Sequence, residues 1–335
     1  MTPIDGDDPV PRNRDRFKLP LPKDALETNI KGIYTFEPPP KGFDPTTAGN
    51  ALLRKYHLPL RPDPDRTPQA LRAWQRAFNK PLGQFVEPVF QFIPRRRPIL
   101  DPNVFNTNSA WAGGILSGDW QSVYGRWTVP DVTPGAPGSQ SPWTCSTWVG
   151  IFAPPSLLQV GTLQQVDQNG ASSVKAWAEW DISNVFTSAD AEQPLPDFYY
   201  LTSGTLVHQT MPLAINDNVE VHLLYNNLEN YATYIFNNIT QSAWTSWIIP
   251  ANASQIQVAE IVWILEAPVT DTAGDIASLP DFGTVTFLNC GGCSSDKSVN
   301  GDPGNGGAPT YITQNGVQLT NVTLGDSTVT ITYIA

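Results

Sequence analysis

The chain has no apolar run long enough to cross a membrane, and few of its residues carry charge. Only 15% of its 335 residues are Asp, Glu, Lys or Arg. The opening stretch, MTPIDGDDPVPRNRDRFKLP, has no apolar segment of the kind found in signal peptides, so we expect no signal peptide and no membrane partner. Aromatic and β-branched residues are abundant instead, with 11 Trp and 10 Tyr, and they favour an all-β globular body.

Positive charge nearly disappears after residue 100. Residues 1–100 hold 17 of the 20 Lys and Arg and 11 of the 31 Asp and Glu, a formal charge of +6. Residues 101–335 hold the remaining 3 and 20, a formal charge of −17. An acidic body of this size argues against nucleic acid as a partner.

The natural partner of the acidic body is the basic segment of the same chain. We predict that residues 1–100 form an N-terminal extension that acts as an inhibitory pro-segment, held by opposite charge near neutral pH. Acid would weaken this attraction as the carboxylates become protonated. A permanently docked extension and a disordered tail are the alternatives.

Histidine and cysteine are too scarce for several kinds of catalytic site. No G-x-S-x-G motif is present, no Gly-rich loop opens a helix, and no Cys–His context resembles a nucleophile with its base. The three histidines are His57, His208 and His222, and the three cysteines are Cys145, Cys290 and Cys293. Since CGGC at 290–293 lacks a second pair or a nearby histidine, we expect no metal and no cofactor. A disulfide is the alternative for these cysteines.

Short strand-like runs separated by turn residues fill the chain after Asn106. They include SVYGRWTVP, STWVGIF, VKAWAEWDI, NVEVHLLYN, ATYIFNNI, EIVWILE, GTVTFLN and STVTITYIA. This pattern predicts a β-sandwich or barrel over residues 101–335. Residues 1–100 are proline-rich, and TAGNALLRKYHLPL and TPQALRAWQRAFNKP predict two short helices there.

With these chemistries excluded, carboxylates and amides are the candidate functional groups. In VWILEAP, Glu266 ends an otherwise apolar run, and a buried ionised carboxylate is costly unless something pairs with it or needs it. Strand alternation places Glu266 on one face with Val262 and Ile264. In LLQVGT the same rule groups Gln159 with Leu157. By periodicity alone, both polar residues are also compatible with hydrogen-bonded groups in a filled sheet.

A second strand carries two acids beside an aromatic residue. In KAWAEWDI, alternation places Trp177, Glu179 and Asp181 on one face, and the apolar Ala176, Ala178 and Trp180 on the other. An aromatic side chain next to two carboxylates suits a groove that binds an extended polymer. Glu179 and Glu266 could then be the paired carboxylates of a glycoside hydrolase, with Gln159 turned away from the groove.

Seven motifs, in this order, resemble those of the eqolisins, the glutamic peptidase family. They are SAWAGGIL (109–116), YGRWTVP (124–130), STWVGI (146–151), LLQVGT (157–162), AWAEW (176–180), WILEAP (263–268) and DFGTVTF (281–287). The resemblance covers about residues 106 to 290. It implies a concanavalin-like antiparallel sandwich of two bent sheets and an acid-acting endopeptidase with polypeptide substrates. It also implies a secreted protein, which we expect to be a monomer.

The resemblance also implies which residues act. The family's catalytic glutamine falls on Gln159 and its catalytic glutamate on Glu266, which would be the general base. Substrate-binding positions would be Trp148, Trp177, Glu179 and Asp181.

Three positions depart from the family pattern. Phe152 stands where an acidic residue is common, Asp181 where an aromatic is usual, and Val262 where another glutamate is frequent. These departures leave the pair intact but bear on specificity. A non-catalytic binding module on the same scaffold is a further alternative.

Overall fold

The structure is a computed structural model of the full chain. It describes residues 22–30, 32–65, 68–78, 80–94, 110–153, 156–181, 197–201, 211–226, 230–250, 259–268, 276–294 and 300–335. The arginine run at 95–97, His208 and the domain boundary predicted at residue 100 lie outside these ranges.

Within the described ranges, strands greatly outnumber helices. The N-terminal elements are β1 (Leu26–Glu27), β2 (Tyr34–Thr35), α1 (Asn50–Lys55), α2 (Pro68–Ala77), β3 (Gln84–Phe85) and β4 (Phe90–Pro94). The central elements are β5 (Trp111–Gly118), β6 (Trp120–Thr128), β7 (Trp143–Ala153), β8 (Ser156–Val166), β9 (Ser172–Asp181), β10 (Asp197–Leu201), β11 (Asn218–Asn226), β12 (Tyr231–Asn238), β13 (Ala243–Pro250) and β14 (Ala259–Glu266). The C-terminal elements are β15 (Thr284–Ser294), β16 (Asn300–Gly301), β17 (Ala308–Thr310), β18 (Thr313–Gln314), β19 (Val317–Gln318), β20 (Thr320–Gly325) and β21 (Thr328–Tyr333).

Two large sheets make up the body. The first, which we call the site sheet, has eight antiparallel strands in the order β17-β5-β14-β7-β8-β9-β10-β4. The second, which we call the back sheet, has 11 strands and follows the path β1-β2-β13-β12-β11-β6-β15-β21-β20, with β16 beside β15 and β3 beside β13. The all-β antiparallel sandwich and the two short helices predicted from the sequence are confirmed.

The main hydrophobic core combines residues from the two sheets. Ile261 and Trp263 come from the site sheet, and Val221 and Trp247 come from the back sheet; all four are fully buried. Because side chains alternate along a strand, burial of Trp263 here turns its neighbours to the opposite face of the site sheet. The core therefore determines which residues that face carries.

The N-terminal segment, residues 22–94, is built into both sheets. Its strands β2 and β3 pair with β13 of the back sheet, and β4 pairs with β10 at one edge of the site sheet. Leu53 of α1, Trp74 of α2 and Phe78, which follows α2, join an apolar cluster with Ile235 and Trp244 of the sandwich. No helix in the described ranges is both long and apolar enough to cross a membrane.

Candidate active site

The candidate site lies on the face of the site sheet that is opposite the main core. An apolar cluster separate from that core covers much of this face: Trp111, Trp148, Phe152, Leu157, Leu163, Trp177, Val262 and Ile264. The predicted alternation is confirmed, because Ile261, Trp263 and Leu265 face the core. The polar candidates are interspersed among these apolar side chains.

Gln159 and Glu179 are bonded to each other on adjacent strands. They are register partners on β8 and β9, and Gln159 Nε2 donates a hydrogen bond of 2.6 Å to Glu179 Oε2. Gln159 Oε1 is buried without a hydrogen-bond partner in the described residues. A primary amide has two N–H donors and one acceptor oxygen. Glu179 therefore engages one donor, and the acceptor and the second donor remain available to a bound molecule.

Glu266 is held from the neighbouring strand by an indole. Trp148, on β7, donates from Nε1 to Glu266 Oε2 at 2.9 Å. The ring is fixed by edge-on contacts with two other indoles, those of Trp111 at 5.1 Å and Trp177 at 6.4 Å between centroids. A donor locked in this way determines the direction in which the carboxylate points.

Gly161 provides the space that the Trp148 side chain needs. Gly161 and Trp148 are register partners on β8 and β7. A Cβ atom at Gly161 would lie 2.5 Å from Trp148 Cβ and 2.2 Å from Thr147 O, which no real side chain tolerates. Glycine at this position lets β7 and β8 approach closely and keeps the indole in place.

Gln159 and Glu266 share this face but lie two strands apart. Gln159 pairs with Gly150 on β7, whereas Glu266 pairs with Ser146, four residues away along β7. On a flat sheet this offset would separate the two Cα atoms by roughly 16 Å. No direct hydrogen bond joins the two side chains in the described part of the chain, and Trp148 stands between them. Their approach through a water stays a prediction.

Four of the site residues are almost completely buried, whereas Glu266 is partly exposed. Gln159, Glu179, Trp148 and Trp177 are each no more than 3% exposed. Gln159 turned away from this face would favour the glycoside-hydrolase alternative, but the Gln159 side chain instead bonds to Glu179 on it.

The remaining positions singled out from the sequence lie on β9, β7 and β14. Asp181 is the last residue of β9 and pairs through its backbone with Leu157. Phe152 and Val262, two departures from the eqolisin pattern, are buried in the apolar cluster. Apolar side chains thus stand at two positions where the family commonly has acids.

Ser146 was not singled out from the sequence. It lies directly opposite Glu266 in the β7–β14 register and is buried. The only available signal was alternation, which places Ser146 on the same face as Trp148 in STWVGI. The strand pairing that brings it beside Glu266 cannot be read from a single segment.

The described residues contain no group of three or more His, Cys, Asp and Glu side chains arranged to hold a metal ion. None of Cys145, Cys290 and Cys293 forms a disulfide, so the disulfide alternative is wrong for this structure. Burial raises the pKa of the Cys145 thiol far above its ordinary value, which keeps it protonated.

Comparisons with known proteins agree with this fold. The model of the Peptidase A4 family matches residues 109–333. Scytalido-glutamic peptidase, solved with a peptide-based transition state analog, is 18% identical with a TM-score of 0.51, over 68% of this chain and 99% of that chain. SCP-B, an eqolisin solved with the tripeptide Ala-Ile-His, is 18% identical with a TM-score of 0.50, over the same shares of the two chains. At these identities the likeness establishes the fold. No curated protein sequence matches the chain.

Proposed function

Since this chain belongs to the Peptidase A4 family, the eqolisins, we propose that it hydrolyses peptide bonds in acid through a pair formed by Gln159 and Glu266. Membership makes the chain a glutamic endopeptidase, a hydrolase whose substrates are polypeptides. What we propose beyond membership is the catalytic pair, its action in acid and the role of each residue.

Glu266 is the general base. Its ionised carboxylate takes a proton from a water molecule, which attacks the scissile carbonyl carbon. The same proton is later returned to the leaving amine. The hydrogen bond from Trp148 supports this role because it favours the charged form of the carboxylate and fixes its direction.

Gln159 holds the water and stabilises the developing oxyanion. Its buried Oε1, which has no hydrogen-bond partner in the described residues, is the observation that carries the proposal. A buried acceptor of this kind costs about 1–3 kcal/mol unless a bound molecule satisfies it. The attacking water supplies that partner, and the second N–H donates to the oxyanion. An amide keeps this donor at any pH.

Substrate would lie across the strands between the two residues. Two long side chains, with a water and a substrate carbonyl between them, can span the offset if the sheet bends toward this face. Trp148, Trp177 and Asp181 would border the bound peptide. The apolar side chains of Phe152 and Val262 favour substrates with apolar residues near the scissile bond.

The burial of Gln159 supports a latent full-length chain. A polypeptide cannot contact Gln159 while its side chain is 1% exposed. We propose that the N-terminal extension restrains the chain in this closed state as an inhibitory pro-segment. We also propose that the protein is secreted and monomeric, as its family resemblance implies.

The test is cleavage of a denatured protein at about pH 2 to 5, where carboxylates titrate. Gln159→Ala should lower the rate about 10²–10³-fold, and Glu266→Gln at least as much, with the fold retained. Glu260→Gln and Gln165→Ala are matched controls on the same two strands. A Glu266→Gln enzyme that cleaves at close to the wild-type rate would overturn the assignment.

A further inference from the structure

Ser146 lies beside Glu266, on the neighbouring strand of the site sheet. The two residues face each other across β7 and β14, and register partners of this kind have Cβ atoms about 4.5–5.5 Å apart. On its other side, Ser146 faces the apolar Leu163 of β8. The hydroxyl is therefore within direct or one-water reach of the Glu266 carboxylate.

The hydroxyl is buried and unsatisfied. Ser146 is 2% exposed, and its Oγ makes no hydrogen bond to any residue that the structure describes. Buried hydroxyl groups nearly always have a partner, because leaving one without a partner costs free energy. Alanine or valine would fill this apolar surrounding without that cost.

Trp148, on the same strand as Ser146, already donates a hydrogen bond to this carboxylate. It stands two residues after Ser146, on the same face, and donates to Glu266 Oε2. A serine at position 146 provides a second donor on the same side of Glu266. Two donors on one carboxylate hold it more firmly and favour its charged form.

We propose that Ser146 is a positioning residue for Glu266, whose hydroxyl donates to the Glu266 carboxylate, directly or through one water, in the working enzyme. This inference rests on the proposed role of Glu266 as general base. Ser146 takes no part in bond making. It keeps the base ionised and aimed in acid, where a carboxylate would otherwise become protonated.

The other charged residues at this face are farther from Glu266. Among the side chains that the structure describes, they are Glu260 on β14 and Lys175 and Glu179 on β9. β5, β7, β8 and β17 place no titratable side chain on this face. Lys175 is aligned with Glu266 but lies three strands away, roughly 14 Å on a flat sheet. The hydroxyl is thus the nearest adjustable influence on the base.

The sign of the effect follows from linkage. A hydrogen bond to the ionised form lowers the pKa of Glu266, so its loss raises that pKa. The acid limb of the kcat/KM profile should then move to higher pH in Ser146→Ala, by about 1 pH unit for one hydrogen bond to a charged group. Activity falls most at the lowest pH and returns toward wild type above the limb.

The experiment measures kcat/KM against pH, with a fluorogenic peptide, for the wild type, Ser146→Ala and Ser146→Thr. Threonine keeps the hydroxyl and should restore the wild-type limb. Ser117→Ala is the matched control, because the exposed Ser117 donates from Oγ to Glu260 Oε1 at 2.7 Å. Ser146→Cys, a poor donor, should reproduce the shift and serves if the alanine variant does not fold.

Two outcomes would overturn the role of Ser146. One is an unshifted limb in both Ser146→Ala and Ser146→Cys. The other is a uniform loss at every pH, which a packing role would also produce. Glu266→Gln is assayed beside them: if it is active, the proposed pair fails and this inference fails with it. If it is inactive while the limb is unshifted, only the inference fails.

Discussion

The contact between Gln159 and Glu179 determines which end of the amide faces the bound molecule. The carboxylate accepts from Nε2, so Oε1 points elsewhere. A glutamine at position 179 would both donate and accept, and the orientation of Gln159 would no longer be unique. The sequence suggested Glu179 as a substrate-binding residue, whereas this bond suggests that it acts through Gln159.

We expect Glu179→Gln to lower kcat about 10-fold with little change in KM, since the lost interaction acts on the transition state. Steady-state kinetics on a single peptide would measure this, with Glu260→Gln as the control. A raised KM with unchanged kcat would show instead that Glu179 binds substrate.

Trp148→Phe should separate the hydrogen bond to Glu266 from the packing of the ring. The phenyl group retains contact with Trp111 and Trp177 but lacks the Nε1 donor. We expect kcat to fall about 10-fold, as for a lost charge-assisted hydrogen bond worth about 1.5 kcal/mol.

Trp263→Phe is the comparison for that prediction. Trp263 faces the core, where its Nε1 donates to Tyr124 O at 2.9 Å. Loss of this hydrogen bond should lower the free energy of unfolding by about 1–3 kcal/mol and leave kcat of the folded enzyme unchanged. Equal kinetic losses in the two variants would mean that Trp148 acts only through packing.

Sequence alternation predicted which side chains share the site face, and the register of the strands supplied the rest. The sides of Trp177, Glu179 and Glu266 followed from a period of two. The pairings of Gln159 with Glu179 and of Ser146 with Glu266 depend on how distant segments align, and a one-residue slip would change every pair. Nothing local in either strand encodes that alignment.

At the scale of elements, the N-terminal extension docks through strands and apolar contacts. The Phe78 ring stacks on His222 of β11 at 4.9 Å between centroids, and Phe90 of β4 meets Trp247 edge-on at 5.4 Å. The ion pair of His57 and Asp24 lies within the extension. Contacts of this apolar kind do not weaken when carboxylates become protonated.

Phe78→Ala should loosen the extension from the back sheet. Removing a buried phenyl ring typically costs about 3–5 kcal/mol, and Phe78 is 4% exposed. Hydrogen exchange in α2 and the midpoint of chemical unfolding would report the loss. Leu52→Ala, at an exposed position of α1, should leave both unchanged. Unaltered exchange in Phe78→Ala would contradict the docking role.

Acid should remove only a small part of the stability of the extension. Burial raises the pKa of Asp24, but the hydrogen bonds and charge it meets, chiefly from His57, lower it further, so the net pKa lies below its ordinary value. Stability from this pair is therefore present above the ordinary pKa and is lost as pH falls through the lowered one. Because Asp24 is 60% exposed, the contribution is at most about 1 kcal/mol.

Asp24→Asn should flatten this part of the pH dependence of the melting temperature between about pH 2 and 5.

The charge split of the chain predicts release of the extension in acid, and the apolar docking predicts that most of the extension stays docked. A hydrogen-exchange experiment on residues 22–94 at low pH distinguishes the two. Complete exchange would favour release.

At the scale of the whole molecule, we expect acid treatment to cut the chain near residues 98–110 and to raise its activity. Mass spectrometry under denaturing conditions would locate the cut. A truncated form lacking residues 1–100 provides the reference for activity. An uncut chain that is as active as the truncated form would make the extension purely structural.

The strands that the extension contributes to both sheets change what such a cut would mean. Uncut, the extension is tethered, and its effective concentration at its docking surface is about millimolar, as for a short linker. After the cut, the same contacts join two separate chains, and the fraction that stays bound depends on their dissociation constant and concentration. The mass measured under native conditions would stay the same, whereas denaturing conditions would give two smaller masses. If the extension inhibits, the specific activity of the cut enzyme would rise as it is diluted, so activation would follow mass action rather than the cut itself.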